Sequence, residues 1–188
     1  MAKTSWPQAY AYVRQSEGGN DDDKSDSGGR TSRGITQSEY DAWCKLNKSP
    51  SGDVWKASEA TIQAIYYNQY WQPYCDALPA GIDYEFFDMS VNMGPREATI
   101  ILQRTIGVTA DGHFGVTTMA AVRTQVNLKA FLDKLTTQRN AFYVELAREQ
   151  PKDRKFLKGW QNRDNAAELN AQRIASAQQN ALVLAKVG

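Results

Sequence analysis

Histidine and cysteine are scarce in this sequence, with one of the first (His113) and two of the second (Cys44 and Cys75) among 188 residues. A single imidazole excludes a multi-histidine zinc centre and the H-E-x-x-H protease arrangement. Without a G-x-S-x-G segment, a serine triad would have to run through that one side chain. The two cysteines stand outside any CxxC or metal-ligand spacing and read either as a disulfide or as two half-buried free thiols. No run of eighteen apolar residues occurs, which excludes a membrane-spanning helix. The first residues lack the apolar core and small-residue cleavage site of a signal peptide, so the expectation is synthesis in the cytoplasm. With metals and nucleophilic triads set aside, chemistry falls to carboxylates.

What is present is ordinary globular material, 41% hydrophobic and 11% aromatic, with five Trp and nine Tyr that supply the flat amphipathic surfaces of carbohydrate clefts. The length suits one compact body, two-lobed at most. Net charge is +1 but unevenly spread. Residues 1–95 carry eight Lys and Arg against thirteen Asp and Glu, while residues 123–163 carry ten against four. The basic stretch reads either as solvated helix faces or as a surface drawn to an anionic wall or membrane.

Helical spacing of Trp6, Tyr10 and Val13, with a Ser5/Gln8 capping pair, predicts a helix over 5–17 that carries Glu17 on its apolar stripe. Gly18 and Gly19 end it. Residues 20–36 are polar and glycine-rich and predict the one β excursion. Helices follow over 37–46, 58–71 and 83–92, then from 95 to 106, from Thr117 or Thr118, over 128–148 and from 164 onward. Ile101, Leu102, Ile106, Val108, Phe114 and Val122 are expected core. The fold class is mainly α with a small β excursion.

Glu17 and Asp26 form the pair with chemical meaning. Glycoside hydrolysis needs one carboxyl kept protonated for the leaving oxygen, and another kept ionised to activate water or stabilise or capture the oxocarbenium-like centre. Glu17 continues an apolar stripe, where desolvation favours the acid form. Asp26 sits beside Gly28, Gly29 and hydroxyl residues that favour the ionised form. The plainer reading makes Glu17 a helix-end surface residue and Asp26 one of several loop acids. An EF-hand is excluded, because Asp21, Asp23 and Ser25 alternate suitably but Asp26 and Ser32 stand where that loop needs Gly and Glu.

The run Glu17-Gly18-Gly19, Asp26-Ser27-Gly28-Gly29-Arg30-Thr31, Gly34-Ile35-Thr36 resembles the signature of glycoside hydrolase family 108, whose members look like phage lysozymes acting as N-acetylmuramidases. Leu102 to Val108, Asp111-Gly112-His113-Phe114-Gly115 and Thr117-Thr118 resemble the peptidoglycan-binding domain that accompanies this family. The resemblance implies a lysozyme-like catalytic region over 1–94 and a wall-binding helical region over 95–188. It also implies a third site member, for which Thr31 fits the family spelling and Ser32 holds the slot two before Gly34. Asn92, at a helix end, reads either as a ligand to a sugar amide or as a helix terminator. His113 reads as an exposed loop residue, and the Asp111-Gly112 turn as packing or sugar contact.

The activity implied is an endolysin that cuts the MurNAc-β-1,4-GlcNAc bond with Glu17, Asp26 and Thr31 as catalytic residues and Ser32 and Asn92 on the substrate. No cofactor or metal is implied. The expected partner is peptidoglycan, reached in the periplasm with a holin's help, by a monomer that binds no nucleic acid. A noncatalytic wall-binding or regulatory module is the competing function. Retention or inversion stays open, since it turns on carboxyls about 5 Å or roughly 6.5–9.5 Å apart.

Overall fold

The computed structural model describes residues 5–21 and 30–187. Among these, helices dominate and one small three-stranded antiparallel sheet is the only β structure, so the fold is mainly α with a small β excursion. The chain divides into two compact units, Pro7–Pro73 and Met1–Trp6 with Tyr74–Gly188. No described helix is long and apolar enough to cross a membrane.

In the first unit, α1 (Trp6–Ser16) buries Ala9, Tyr10 and Val13 at helical spacing. The N–H of Glu17 still donates to the Val13 carbonyl at 3.0 Å, so Glu17 belongs to the helix's last turn. The sheet comprises β1 (Asn20–Asp21), β2 (Thr31–Ser32) and β3 (Ile35–Thr36), with Asn20 opposite Ser32 and Ser32 opposite Ile35. The two-residue turn between β2 and β3 needs positive φ at both central residues, and Arg33 and Gly34 supply it at 53° and 83°. Thr36 then starts α2 (Gln37–Leu46) through a capping box. Its hydroxyl accepts from Glu39 N–H at 3.2 Å, and its own N–H donates to Glu39 Oε2 at 2.9 Å. Ser58 caps α3 (Glu59–Tyr66), which buries Ile62, Ile65 and Tyr66 and runs into a π turn, Tyr67–Trp71.

In the second unit, α4 (Ile82–Met93) is buried from Ile82 to Ser90, acidic residues included. It follows Gly81, where φ is 94° and a Cβ would stand 2.7 Å from the Ala171 carbonyl oxygen, so only glycine permits the close approach. Pro95 opens α5 (Pro95–Ile106), followed by α6 (Val116–Arg123), α7 (Leu128–Glu149) and α8 (Leu157–Val187). Ile101, Leu102 and Val122 are core, but Ile106, Val108 and Phe114 are only half-buried. Gly107 ends α5 in the left-handed conformation between the first two, turning the chain toward solvent. The Asp111 turn is held by Gln103, which donates to Asp111 Oδ1 (2.8 Å) and the His113 carbonyl (3.1 Å) and accepts from Gly112 N–H (2.9 Å). His113 is an exposed loop residue. Cys44 and Cys75 are free buried thiols.

The stretch that sequence counting makes basic does not all lie on the surface. Arg139 is fully buried on α7, with Nη1 3.0 Å from Glu85, Nη2 2.6 Å from Asp88 and Nε 3.5 Å from Asp164. Arg163 binds Asp88 from its other side at 3.0 Å. Three carboxyls against two guanidiniums leave one negative charge too many, which favours the protonated form of one of them. Burial pushes Glu85 up to about 8, against the pull of Arg139, and its Oε2 has no hydrogen-bond partner among the described residues. Burial likewise raises Asp164 to about 7. Asp83, buried although Ser5 Oγ and the Gly81 and Tyr84 N–H groups donate to it, is raised to about 6. Asp88 is penalised by burial too, yet Arg139 and Arg163 hold it below the usual carboxylate range.

Glu85, Asp164 and Asp83 each take up a proton on folding between their unfolded and folded values. Their contribution is complete at acid pH and is lost as pH rises through about 6 for Asp83, about 7 for Asp164 and about 8 for Glu85. The melting temperature should therefore fall between about pH 5 and pH 8.5, and Glu85→Gln should flatten that slope. A wild-type melting temperature that is level or rising over this range would contradict the assignment.

Candidate active site

Glu17 stands half-buried where α1 ends, and the Arg33-Gly34 turn of the sheet comes up against it. A Cβ on Gly34 would fall on the Tyr66 hydroxyl and 2.7 Å from Glu17 Oε2, with Glu17 Cδ at 3.2 Å. The missing side chain is thus the space in which carboxyl, phenol and turn meet. Tyr66, fully buried at the end of α3, donates to the Arg33 carbonyl at 2.8 Å and so fastens the turn from beneath. Its ring packs edge-on against Tyr10 (5.8 Å) and tilted against Tyr70 (5.9 Å).

Charged groups brace this cluster from behind. Glu59 accepts from Tyr10 at 2.5 Å and Arg33 at 3.0 Å, and pairs with Arg14 at 3.4 Å. The Tyr10 hydrogen bond is the main reason its carboxyl sits below the usual range, despite some burial. Arg33 also donates to the Ala57 carbonyl at 2.6 Å, which locks an arginine with positive φ in place. Tyr70 donates to Glu39 at 2.6 Å, linking the phenol cluster to the helix cap of α2. Burial first, and Glu17's charge next, hold the Tyr66 phenol far above its ordinary range, and burial raises Tyr70 as well.

Of the residues singled out in the sequence, Glu17, Thr31 and Ser32 lie in the first unit and Asn92 in the second. Asp26 falls outside the described residues. Thr31 and Ser32 are neighbours in β2 and face opposite ways. Thr31 is half-buried, and its carbonyl accepts from the Trp55 indole at 3.1 Å. The Ser32 side chain is fully buried, donates to Asn20 Oδ1 at 2.8 Å and accepts from Arg33 Nε at 3.1 Å. Asn92 Oδ1 accepts from the Tyr143 hydroxyl at 2.6 Å in the last turn of α4. No group of three His, Cys, Asp or Glu among the described residues is gathered as metal ligands would be.

Sequence reasoning missed Tyr66 and the turn it holds. The turn had a signal, a glycine two residues before the Thr36-x-x-Glu39 capping box. Tyr66 had none, being one of nine tyrosines in an apolar helix pattern.

Gly34→Ala combines a left-handed φ with a collision against two fixed oxygens. It should destabilise the protein by roughly 1–3 kcal/mol and displace the Glu17 carboxyl. Activity should fall much further than the folded fraction does, as seen by comparing turnover with a thermal melt. Equal losses in both would reduce Gly34 to a folding residue.

The model of the Glycosyl hydrolase 108 family matches residues 10–94, which include Glu17 and the whole sheet. That of a Predicted Peptidoglycan domain matches residues 97–165, which include the Gln103–Asp111 turn and Arg139. No curated protein matches the chain significantly. Among solved structures, Brucella abortus SagA superposes with a TM-score of 0.76 at 30% identity, over 91% of this chain and 95% of that one. The chain belongs to the glycosyl hydrolase 108 family and is a glycoside hydrolase directed at peptidoglycan.

Proposed function

We propose that this protein is an N-acetylmuramidase that hydrolyses the MurNAc-β-1,4-GlcNAc bond, with Glu17 as general acid. The observation that carries this reading is the setting of Glu17, a half-buried carboxyl held against Gly34 and Tyr66 within the family-matched segment. In this reading Glu17 gives its proton to the glycosidic oxygen as the C1–O bond breaks. Asp26, ionised, stabilises or captures the positive centre at C1 or draws the proton from the attacking water. Thr31 is the third member of the site. Asn92 serves substrate binding, and Ser32, its side chain fully buried between Asn20 and Arg33, does so only through the strand it holds. Hydrolysis by two carboxyl groups requires no cofactor.

The protein acts as a monomeric endolysin, made in a host cytoplasm and reaching the periplasmic wall through a pore formed by a partner of holin type. Digests of purified sacculi, reduced with borohydride, test the bond. Muramitol at the new ends supports the reading, whereas reduced glucosamine, 1,6-anhydro ends or no products overturn it. For delivery, expression alone should leave a Gram-negative culture turbid, and permeabilising the inner membrane should clear it. Prompt clearing without permeabilisation would show another export route.

A further inference from the structure

Tyr66 is a fully buried titratable group that the hydrolytic scheme leaves unused, although its oxygen and Glu17 Oε2 are both closer than 3.0 Å to one point, the place of the absent Gly34 Cβ. A phenol has one proton to give, and Tyr66 gives it to the Arg33 carbonyl at 2.8 Å. Toward Glu17 the same oxygen presents lone pairs. A lone pair attracts the O–H of a carboxylic acid and repels a carboxylate, and in a half-buried place water screens that difference incompletely. Burial keeps Tyr66 itself neutral, so its oxygen does not change character in the working range.

We propose that Tyr66 is a positioning residue for Glu17. By committing its proton to the Arg33 carbonyl, it offers the carboxyl edge facing Gly34 an acceptor alone and so makes the acid form the one this corner fits. The inference rests on Glu17 being the general acid.

The other groups around the pair do not substitute for it. Among the described residues, Arg14 and Tyr10 face Tyr66 from α1. Arg14, which has no acceptor to offer, pairs with Glu59 through Nε and keeps a buried Nη1 without a hydrogen-bond partner, and Tyr10 donates to Glu59. Arg33 is engaged by Glu59 and Ala57. Tyr70, which also senses Glu17, donates to Glu39. Of the phenols described, Tyr66 is the one whose oxygen is placed at the Gly34 corner.

The test compares rate profiles against pH for wild type, Tyr66→Phe and Tyr10→Phe on sacculi, with thermal melts alongside. Phenylalanine at 66 keeps the ring and removes the oxygen. The alkaline limb of kcat should move to lower pH by roughly half to one unit, the size a neutral hydrogen bond commands. At about pH 7 kcat should fall several-fold while KM stays within about twofold. Tyr10→Phe loses a buried phenol from the same cluster and should leave the limb in place.

A folded Tyr66→Phe enzyme with the wild-type limb, or with the same shift as Tyr10→Phe, overturns the proposal. If Tyr66→Phe does not fold, a ring-fluorinated tyrosine placed at 66 decides the matter. It preserves shape while weakening the oxygen as acceptor, and it should move the limb the same way by less; an unmoved limb overturns the proposal. Full activity in Glu17→Gln would instead sink the reading of Glu17 as the acid. A dead Glu17→Gln beside an unmoved Tyr66→Phe limb sinks this inference alone.

Discussion

Exchanging Glu17 for glutamine is expected to cut turnover of sacculi by roughly 10²- to 10⁴-fold, the usual contribution of a positioned general acid, while the melting temperature stays near wild type. The expectation of an intact fold is structural. The backbone N–H of Glu17 closes the last turn of α1 on the Val13 carbonyl, and that bond is indifferent to the side chain. An amide also fits the corner beside Gly34 and Tyr66, since it has the shape of the acid and keeps a donor for the phenol oxygen. What it lacks is a proton that can leave. Binding to sacculi should persist, so pull-down and lysis should separate cleanly. If the variant keeps even a tenth of wild-type lysis, the acid is another residue, and the acidic run from Asp21 to Asp26 is where to seek it.

The largest expected loss of stability comes from Arg139→Met. The thioether fills much of the same channel, but Glu85, Asp88 and Asp164 would be left buried with only Arg163, which reaches Asp88. Removing one partner of a buried ion pair costs about 3–5 kcal/mol, and in a chain of this size that lowers the melting temperature by about 10 °C or more. Tyr143, which accepts from Arg139 Nε at 3.0 Å and donates to Asn92, would lose its anchor as well. The orphaned carboxyls can relieve the strain by taking up protons. The deficit relative to wild type should therefore shrink as pH falls from about 8 to about 5. A loss under about 1 kcal/mol, or a deficit that ignores pH, would mean that the network adds little to the fold.

How far the sequence could be read depended on which forces act locally. The helix over 37–46 was legible to the residue, because side-chain caps and glycine breaks are local events, written where they act. The first helix and the placement of Glu17 in its final turn followed from an apolar stripe with a clear period. The last helix begins at Leu157, seven residues before the expected 164, since Gly159 and the lysines around it read as loop while packing against α7 holds them helical. The buried ion cluster escaped notice because counting charges along a chain assumes that charges face water. Both readings of the basic stretch, solvated helix faces or a wall-seeking surface, put Arg139 in water, whereas its three carboxylate partners lie 25 to 54 positions away. Tyr66 was unreadable for the same reason, since its meaning comes from Arg33 and Glu17 across the fold, not from its neighbours in α3.

The connectivity of the two units bears on how such proteins can exchange parts. Residues from both ends of the chain, Met1–Trp6 and Tyr74–Gly188, build one unit, and Pro7–Pro73 is inserted between them. The family boundary near residue 95 falls elsewhere, between α4 and α5, which pack on each other. A chimera spliced at that boundary would pair a foreign α4 with α5 and α8, and would break up the carboxyl–guanidinium set that Glu85 and Asp88 share with Arg139 and Arg163. Wall-recognition segments in this architecture should therefore recombine successfully only when the helix Ile82–Met93 travels with them, or when both exchange points flank Pro7–Pro73 and the hydrolytic segment is the part transplanted.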